Sequence, residues 1–176
     1  MIFKDLKIFQ NKNFFDYRGY FKELIKEKDI KKRFPFTVMS KSKKNVLRGL
    51  HIQTKNSQGK YISVLKGKIF DVSVDLRKKS KTFGKYFSCI LSEKNAKSIY
   101  IPEGFAHGFY TLEDENIIIY ACTQYRNKSA EKSIIYNDKD LNIKWPIKNK
   151  KIIISKKDIK ALTFKEFLKK NKWTVK

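Results

Sequence analysis

Hydrophobic and polar positions alternate through much of the chain. Across residues 68–76 the apolar side chains Phe70, Val72, Val74 and Leu76 fall on one face, and Asp71, Ser73 and Asp75 fall on the other. A period of two predicts a strand with one buried face. Residues 61–65 precede it across Lys66-Gly67-Lys68, which predicts a hairpin. Similar short runs predict strands at 86–91, 98–101, 108–112, 117–123 and 133–136. Many short strands at close spacing point to an all-β antiparallel sandwich or barrel. Helical spacing is scarce. Thr163-Phe164-Lys165-Glu166 has the form of a capping box, with Phe164, Phe167 and Leu168 on one stripe. Residues 20–32 are predicted to hold a short helix with Phe21, Leu24 and Ile25 inward. Both helices read as peripheral elements covering the sheet.

Length and punctuation add that this is one unit. The chain has 176 residues, without a linker, repeat or low-complexity segment, and reads as a single domain over 1–176. It lacks an apolar run of the ~18 residues a membrane helix needs. Its first residues lack an apolar core followed by a cleavage site, so no secretory signal is expected. Cys89 and Cys122 sit in apolar strand-like runs. Two cysteines can build neither a disulfide scaffold nor a four-cysteine zinc site. They predict buried thiols in a reducing cytoplasm.

Charge changes the picture less than its size suggests. There are 41 Lys and Arg against 17 Asp and Glu, a net +24, which raises the question of nucleic acid. Only five of those cations are arginine, the residue suited to bidentate phosphate and base contacts: Arg18, Arg33, Arg48, Arg77 and Arg126. The lysines are spread along the whole chain. They predict a solvated basic surface that attracts small anions such as nucleotide sugars, without nucleic acid as a partner and without a membrane.

The candidate chemistry centres on two histidines. His51 lies in Arg48-Gly49-Leu50-His51-Ile52-Gln53, and His107 in Pro102-Glu103-Gly104-Phe105-Ala106-His107-Gly108-Phe109. In a barrel their partners would be the inward polar residues Asp71, Lys60 and Tyr120. Barrel metal sites typically need a His-x-His pair, a carboxylate and a third His. Only two histidines exist, with no such pair, so no metal is expected. Each histidine could equally be a satisfied core residue. Arg48 and His51 have opposite parity on a strand, so a bend at Gly49 is needed for both to serve one pocket. Tyr120 lies between Ile118 and Cys122 and reads as core, unless it shares a cavity with His51. In that case a base and an acid of different strength are paired, an arrangement suited to proton transfer at carbon.

The chain resembles the dTDP-4-dehydrorhamnose 3,5-epimerases, metal-free cupins of sugar-nucleotide biosynthesis, from about Asp16 to Phe167. The resemblance is carried by Asp16-Tyr17-Arg18-Gly19-Tyr20-Phe21-Lys22-Glu23, Ser40-Lys41-Ser42, Val46-Leu47-Arg48-Gly49-Leu50-His51 and Gln58-Gly59-Lys60. Phe70 to Arg77, Ser80-Lys81-Thr82-Phe83-Gly84, Ile101 to Phe109, Tyr120-Ala121-Cys122-Thr123 and Ser155-Lys156-Lys157-Asp158 follow in family order.

The resemblance implies a cupin-like antiparallel jelly-roll barrel with a few short peripheral helices, and no cofactor. It implies His51 as general base, Asp158 as the carboxylate that orients it, and Tyr120 as the acid on the opposite face. Lys60 and Arg48 would stabilise charge on the C4 oxygen and hold the sugar nucleotide. Gln53, Asp71, His107, Tyr125 and Glu131 would be further substrate contacts. Arg18, Phe21 and Glu23 match a segment that reaches the neighbouring subunit's nucleotide site, which implies a homodimer with N-terminal exchange. The chain departs from the family in two places. Phe36-Thr37-Val38-Met39 replaces a Gln-Asp-Asn run, and Tyr125-Arg126 replaces a Tyr-Tyr pair.

The chemistry is coherent on its own terms. Hydrogens at C3 and C5 flank a C4 ketone, so loss of either gives an enolate whose oxygen needs donors or cations. The expected function is epimerisation of a nucleoside-diphosphate 4-keto sugar for bacterial surface polysaccharide. The alternatives are a GDP-4-keto-heptose epimerase of capsule synthesis acting at C3, C5 or both, and a non-catalytic cupin that binds sugar nucleotides.

Overall fold

The computed structural model describes residues 3–147 and 151–171. The ends of the predicted domain, residues 1–2 and 172–176, lie outside the described residues. In chain order the elements are β1 (Lys7–Gln10), β2 (Asn13–Asp16), β3 (Gly19–Lys22), α1 (Glu27–Ile30), β4 (Phe36–Lys43) and β5 (Val46–Gln53). There follow β6 (Lys60–Lys66), β7 (Lys68–Asp75), β8 (Tyr86–Ser92), β9 (Lys97–Ile101), β10 (Phe105–Thr111) and β11 (Glu115–Cys122). The chain closes with β12 (Glu131–Ser133), β13 (Ile153–Ile154), α2 (Lys156–Ile159) and α3 (Phe164–Lys170).

Two sheets form the jelly-roll barrel. One has the order β1-β9-β6-β11-β4, and the other β12-β5-β10-β7-β8, with β13 lying parallel beside β5. The remaining pairings within both sheets are antiparallel. Between the sheets pack Ile62, Val64, Ile69, Ile99, Phe109 and Ile118. A second core lies behind the β5–β10–β7 sheet. There Leu50, Ile52, Val72, Val74 and Leu76 meet Ile134, Leu141, Ile143 and Phe167 from the C-terminal segment.

That second core corrects the reading of β7 as half-buried. Asp71, Ser73 and Asp75 are as buried as the apolar face. Closing the barrel turns the polar face of the strand into the lumen, while the C-terminal segment covers the apolar face. The capping box is present as expected: the Thr163 hydroxyl accepts from Glu166 N, and the Glu166 carboxylate accepts from Thr163 N at 2.8 Å. It starts the helix that places Phe167 in the core, and a cap of this kind contributes about 1 kcal/mol.

Other expectations are revised. Tyr20 and Phe21 are in strand β3, not a helix, and Phe21 is 67% exposed. Gly19 at φ 134° and the Asp16 carboxylate accepting from Arg18 N turn the chain there. Helix α1 is confined to Glu27–Ile30, and the inward residues are Ile25 and Ile30, packed on Tyr61 and Tyr100. The strand expected at 133–136 is Glu131–Ser133, beyond which Ile134 still exchanges backbone hydrogen bonds with Leu50. Cys122 is buried, but Cys89 is only partly so, because β8 is an edge strand; both are free thiols.

The bend required at Gly49 exists. Opposite β10, His51 pairs with His107 and Arg48 with Phe109, so β5 runs three residues against two. That is a bulge, and it reverses parity, so Arg48 and His51 face the same lumen. Gly49 sits at φ 123°, followed by a cis peptide to Leu50. A methyl group at position 49 would lie 2.5 Å from Gly108 Cα and 2.9 Å from the His107 carbonyl oxygen. Only glycine fits there.

Candidate active site

The lumen opens into a cavity of about 620 Å³ whose wall carries Arg48, His51, Lys60, His107, Tyr120 and Asp158. Four strands and one short helix supply these six side chains. His51 Nε2 lies 2.7 Å from Asp158 Oδ1. Asp158 rides on α2, where Ser155 caps the helix and its hydroxyl accepts from Asp158 N at 3.1 Å. Burial alone pushes the Asp158 carboxyl up. The hydrogen bond and charge of His51, the backbone N–H of Gly49 and the Ser155 hydroxyl outweigh burial and hold it below the usual carboxylate value. An ionised carboxylate only accepts, so Nε2 of His51 carries the hydrogen and Nδ1 is left as the basic nitrogen.

A second pair lies deeper. His107 Nε2 is 2.7 Å from Asp71 Oδ2, with both side chains buried. Asp71 Oδ1 and the Ser73 hydroxyl, both on the lumen face of β7, have no hydrogen-bond partner among the described residues. The Tyr120 hydroxyl is 2.9 Å from Ser40 Oγ, and its ring packs against His107 and Phe109 at centroid distances of 6.3 and 6.5 Å. Burial pushes the phenol pKa well up, only partly offset by Ser40 and Arg48. Tyr120 therefore keeps its proton until a strong base is placed beside it. Burial lowers the Lys60 ammonium from its ordinary value, opposed by Cys122, Glu131 and Asp71. Arg48 is fixed against the wall by hydrogen bonds from Nε to Ser42 Oγ at 3.1 Å and from Nη2 to the Lys41 carbonyl at 3.4 Å.

At the rim, Glu131 Oε2 accepts from Arg126 Nη2 at 2.9 Å and from Lys157 Nζ at 3.1 Å. Burial would raise the Glu131 carboxyl, but the two cations bring it down to about 2.

The structure brings together eight of the residues singled out in the sequence, Arg48, His51, Lys60, Asp71, His107, Tyr120, Glu131 and Asp158, and separates the others. Gln53 is buried but does not line the cavity. Its amide donates to the Asn56 and Tyr125 carbonyls at 2.6 and 3.2 Å and accepts from Asn127 N at 2.7 Å, so it clamps a loop. Tyr125 is 66% exposed and packs on Phe36, also outside the cavity wall. Arg18, Phe21 and Glu23 lie on or beside the β2–β3 hairpin; Arg18 pairs with Asp16 at 2.6 Å and Glu23 with Lys26 at 2.5 Å. None of the three lines this chain's own cavity. Ser40, Phe109, Arg126 and Lys157 do line it and were not singled out. Ser40, Phe109 and Lys157 fall inside the quoted motifs, and Arg126 sits at a departure from them. Among the described residues, no group of three or more His, Cys, Asp or Glu side chains is placed to hold a metal ion.

A jelly-roll barrel with a carboxylate-held imidazole, a proton-bearing phenol and two cations around one cavity is a protein equipped for acid–base chemistry at carbon. The chain belongs to the dTDP-4-dehydrorhamnose 3,5-epimerase family, isomerase-class enzymes whose sequence profile matches residues 1–166. It is 42% identical over 167 residues to the dTDP-4-dehydrorhamnose 3,5-epimerase of Shigella flexneri, covering 91% of each chain. It is 42% identical to the Neisseria gonorrhoeae enzyme of the same name over 91% of this chain, and there it spans 50% of the relative's length. A crystal structure of dTDP-6-deoxy-D-glucose-3,5-epimerase from Legionella pneumophila Philadelphia 1, in complex with dTDP-4-keto-L-rhamnose, superposes with a TM-score of 0.88. The two are 41% identical over 93% of this chain and 89% of that one. All three are named for dTDP-linked sugars and none for a GDP-linked heptose.

Proposed function

We infer that this chain epimerises a dTDP-linked 4-keto-6-deoxy sugar at C3 and C5, and that it serves synthesis of a surface polysaccharide. The observation that carries the reading is the meeting of the His51–Asp158 pair and the Tyr120 phenol in one cavity with Lys60 and Arg48. His51 Nδ1 takes the proton from a carbon beside the ketone. The electron pair moves onto the C4 oxygen, where Lys60 and Arg48 stabilise the enolate. Tyr120 returns a proton to the opposite face of the same carbon. One proton leaves and one arrives, so there is no net redox change. The ligand in the Legionella relative supports a dTDP-linked 4-keto sugar as substrate.

The test is incubation with dTDP-4-keto-6-deoxyglucose in D₂O, following each carbon by NMR. Deuterium is expected at C3 and C5, with the L-configured product. The enolate charge is assigned here to side chains, so EDTA is expected to leave the rate unchanged. Loss of turnover on chelation, restored by one divalent ion, overturns that assignment.

Oligomerisation is the second part of the reading. The β2–β3 hairpin pairs with neither barrel sheet, and an isolated hairpin is marginal in water. It displays Phe14, Phe15, Tyr17 and Phe21 at 52 to 97% exposure. Arg18, Phe21 and Glu23 are assigned to the cavity of a second copy, which would cover that aromatic surface. Sedimentation equilibrium of the full chain is expected to give twice its 20.9 kDa mass; a monomer at micromolar concentration overturns the exchange. The two free thiols suit a reducing cytoplasm.

A further inference from the structure

We propose that Arg126 recognises the substrate's diphosphate at the cavity rim, with Lys157 as its companion and Glu131 holding both ready. This rests on the reading that the ligand is a nucleoside-diphosphate sugar.

Arg126 lines the main cavity and also an adjoining recess of about 340 Å³ walled by Phe36, Gln58 and Cys122. It therefore stands on the wall the two spaces share, together with Lys60, Tyr120 and Glu131. Its place is fixed from behind. The buried Gln53 amide grips the backbone on each side of it, donating to the Tyr125 carbonyl and accepting from Asn127 N. The Asn127 side chain in turn accepts from Ala130 N and caps the short turn at Lys128–Ala130. A loop bound in this way carries Arg126 at a set position, so little ordering remains when a ligand arrives.

The charges at the rim do not cancel. Glu131 stays ionised, and its single oxygen Oε2 is shared by two cations, Arg126 and Lys157. One carboxylate against two cations leaves a positive charge facing the cavity mouth, which a neutral ligand would not use. Arg126 spends only Nη2 on Glu131; its Nε and Nη1 make no hydrogen bond among the described residues. A guanidinium fork matches two oxygens of a phosphate. An arriving diphosphate can draw Arg126 off Glu131 without stranding that carboxylate, because Lys157 remains on it. Lys157 is also the residue before Asp158 on α2, so the anion contact sits one residue from the carboxylate that holds His51.

The test is titration calorimetry of the full-length protein and its Arg126→Ala and Arg126→Lys variants with inorganic pyrophosphate, dTDP and thymidine. Arg126 is half-exposed, so both variants should fold; matching circular dichroism and melting curves check this. Arg126→Ala is expected to weaken pyrophosphate and dTDP by about 10- to 100-fold, the size of lost charge-assisted hydrogen bonds. Thymidine affinity should be unchanged. Arg126→Lys should recover part of the loss, keeping the charge without the fork. Wild-type affinity of Arg126→Ala for pyrophosphate overturns the proposal, as does an equal loss for thymidine, which would make Arg126 a nucleoside contact. Turnover of the 4-keto sugar by the wild type, scored in parallel, keeps the two readings apart. Turnover with Arg126-independent pyrophosphate binding removes only the diphosphate contact. Arg126-dependent dTDP binding without turnover removes only the activity.

Discussion

Asparagine in place of His51 is expected to abolish deuterium incorporation at both C3 and C5 and to lower turnover by about 10²–10⁴-fold or more. In the proposed reaction both hydrogens leave carbons flanking the same ketone, and among the cavity residues His51 is the imidazole that pairs with an ionised carboxylate while its side chain stays 30% exposed. Asparagine has no nitrogen that can take a proton, and its amide ends level with the imidazole's Nδ1, short of the Nε2 position that meets Asp158. Asp158→Asn should give a weaker version of the same defect. It leaves the imidazole in place but removes the charge that fixes its tautomer and stabilises the imidazolium formed when the proton arrives. His107 sharpens the test. It forms the same 2.7 Å contact with Asp71, and both side chains are nearly inaccessible. If His107 were the base for one carbon, His51→Asn would still exchange deuterium there. NMR of the recovered sugar separates the cases: exchange at wild-type rate at either carbon removes His51 as the sole base.

What could be read in advance, and what could not, follows from how each residue meets solvent. Strands β6 to β11 were legible because each carries a run of Val, Ile, Leu or aromatic side chains between turn residues. Strand β4 was not, because Thr37, Val38, Met39, Lys41 and Lys43 leave it largely exposed and its pattern reads as loop. Alternation identified the polar face of β7 correctly but could not say that it points into a lumen, since barrel closure is a property of the whole sheet. Parity demanded a bend at Gly49; that the bend is a bulge against Gly108 depends on the partner strand. Asp158 lies on a four-residue helix with no periodic signal of its own, and only the resemblance pointed to it. Gln53 shows the opposite failure. A polar residue two positions from His51 falls on the same side by strand parity, yet its amide is spent on loop carbonyls and an N–H. Composition cannot separate a ligand contact from a backbone clamp.

Phenylalanine at position 120 is expected to separate two steps that the wild-type enzyme joins. The hydroxyl is lost while the ring keeps its packing against His107 and Phe109, so the cavity should retain its shape. His51, Lys60 and Arg48 are untouched, and the enolate can still form. His51 can also hand the proton back to the face it came from. Washout of the substrate's own hydrogens should therefore survive at a measurable rate. Net inversion should fall by about 10²–10⁴-fold, the usual contribution of one positioned acid. Burial holds the Tyr120 proton tightly, with Ser40 its hydrogen-bond partner. The phenol stays neutral across the working pH range and releases its proton only to a carbanion or enolate, whose basicity exceeds that of any resting group in the cavity. Removing it should thus change the stereochemical outcome more than the pH profile. The comparison is the ratio of epimerised product to washed-out substrate in D₂O. Tyr120→Phe that inverts both carbons at the wild-type ratio removes Tyr120 as the acid. Inversion kept at one carbon alone means that a second donor, solvent included, serves that carbon.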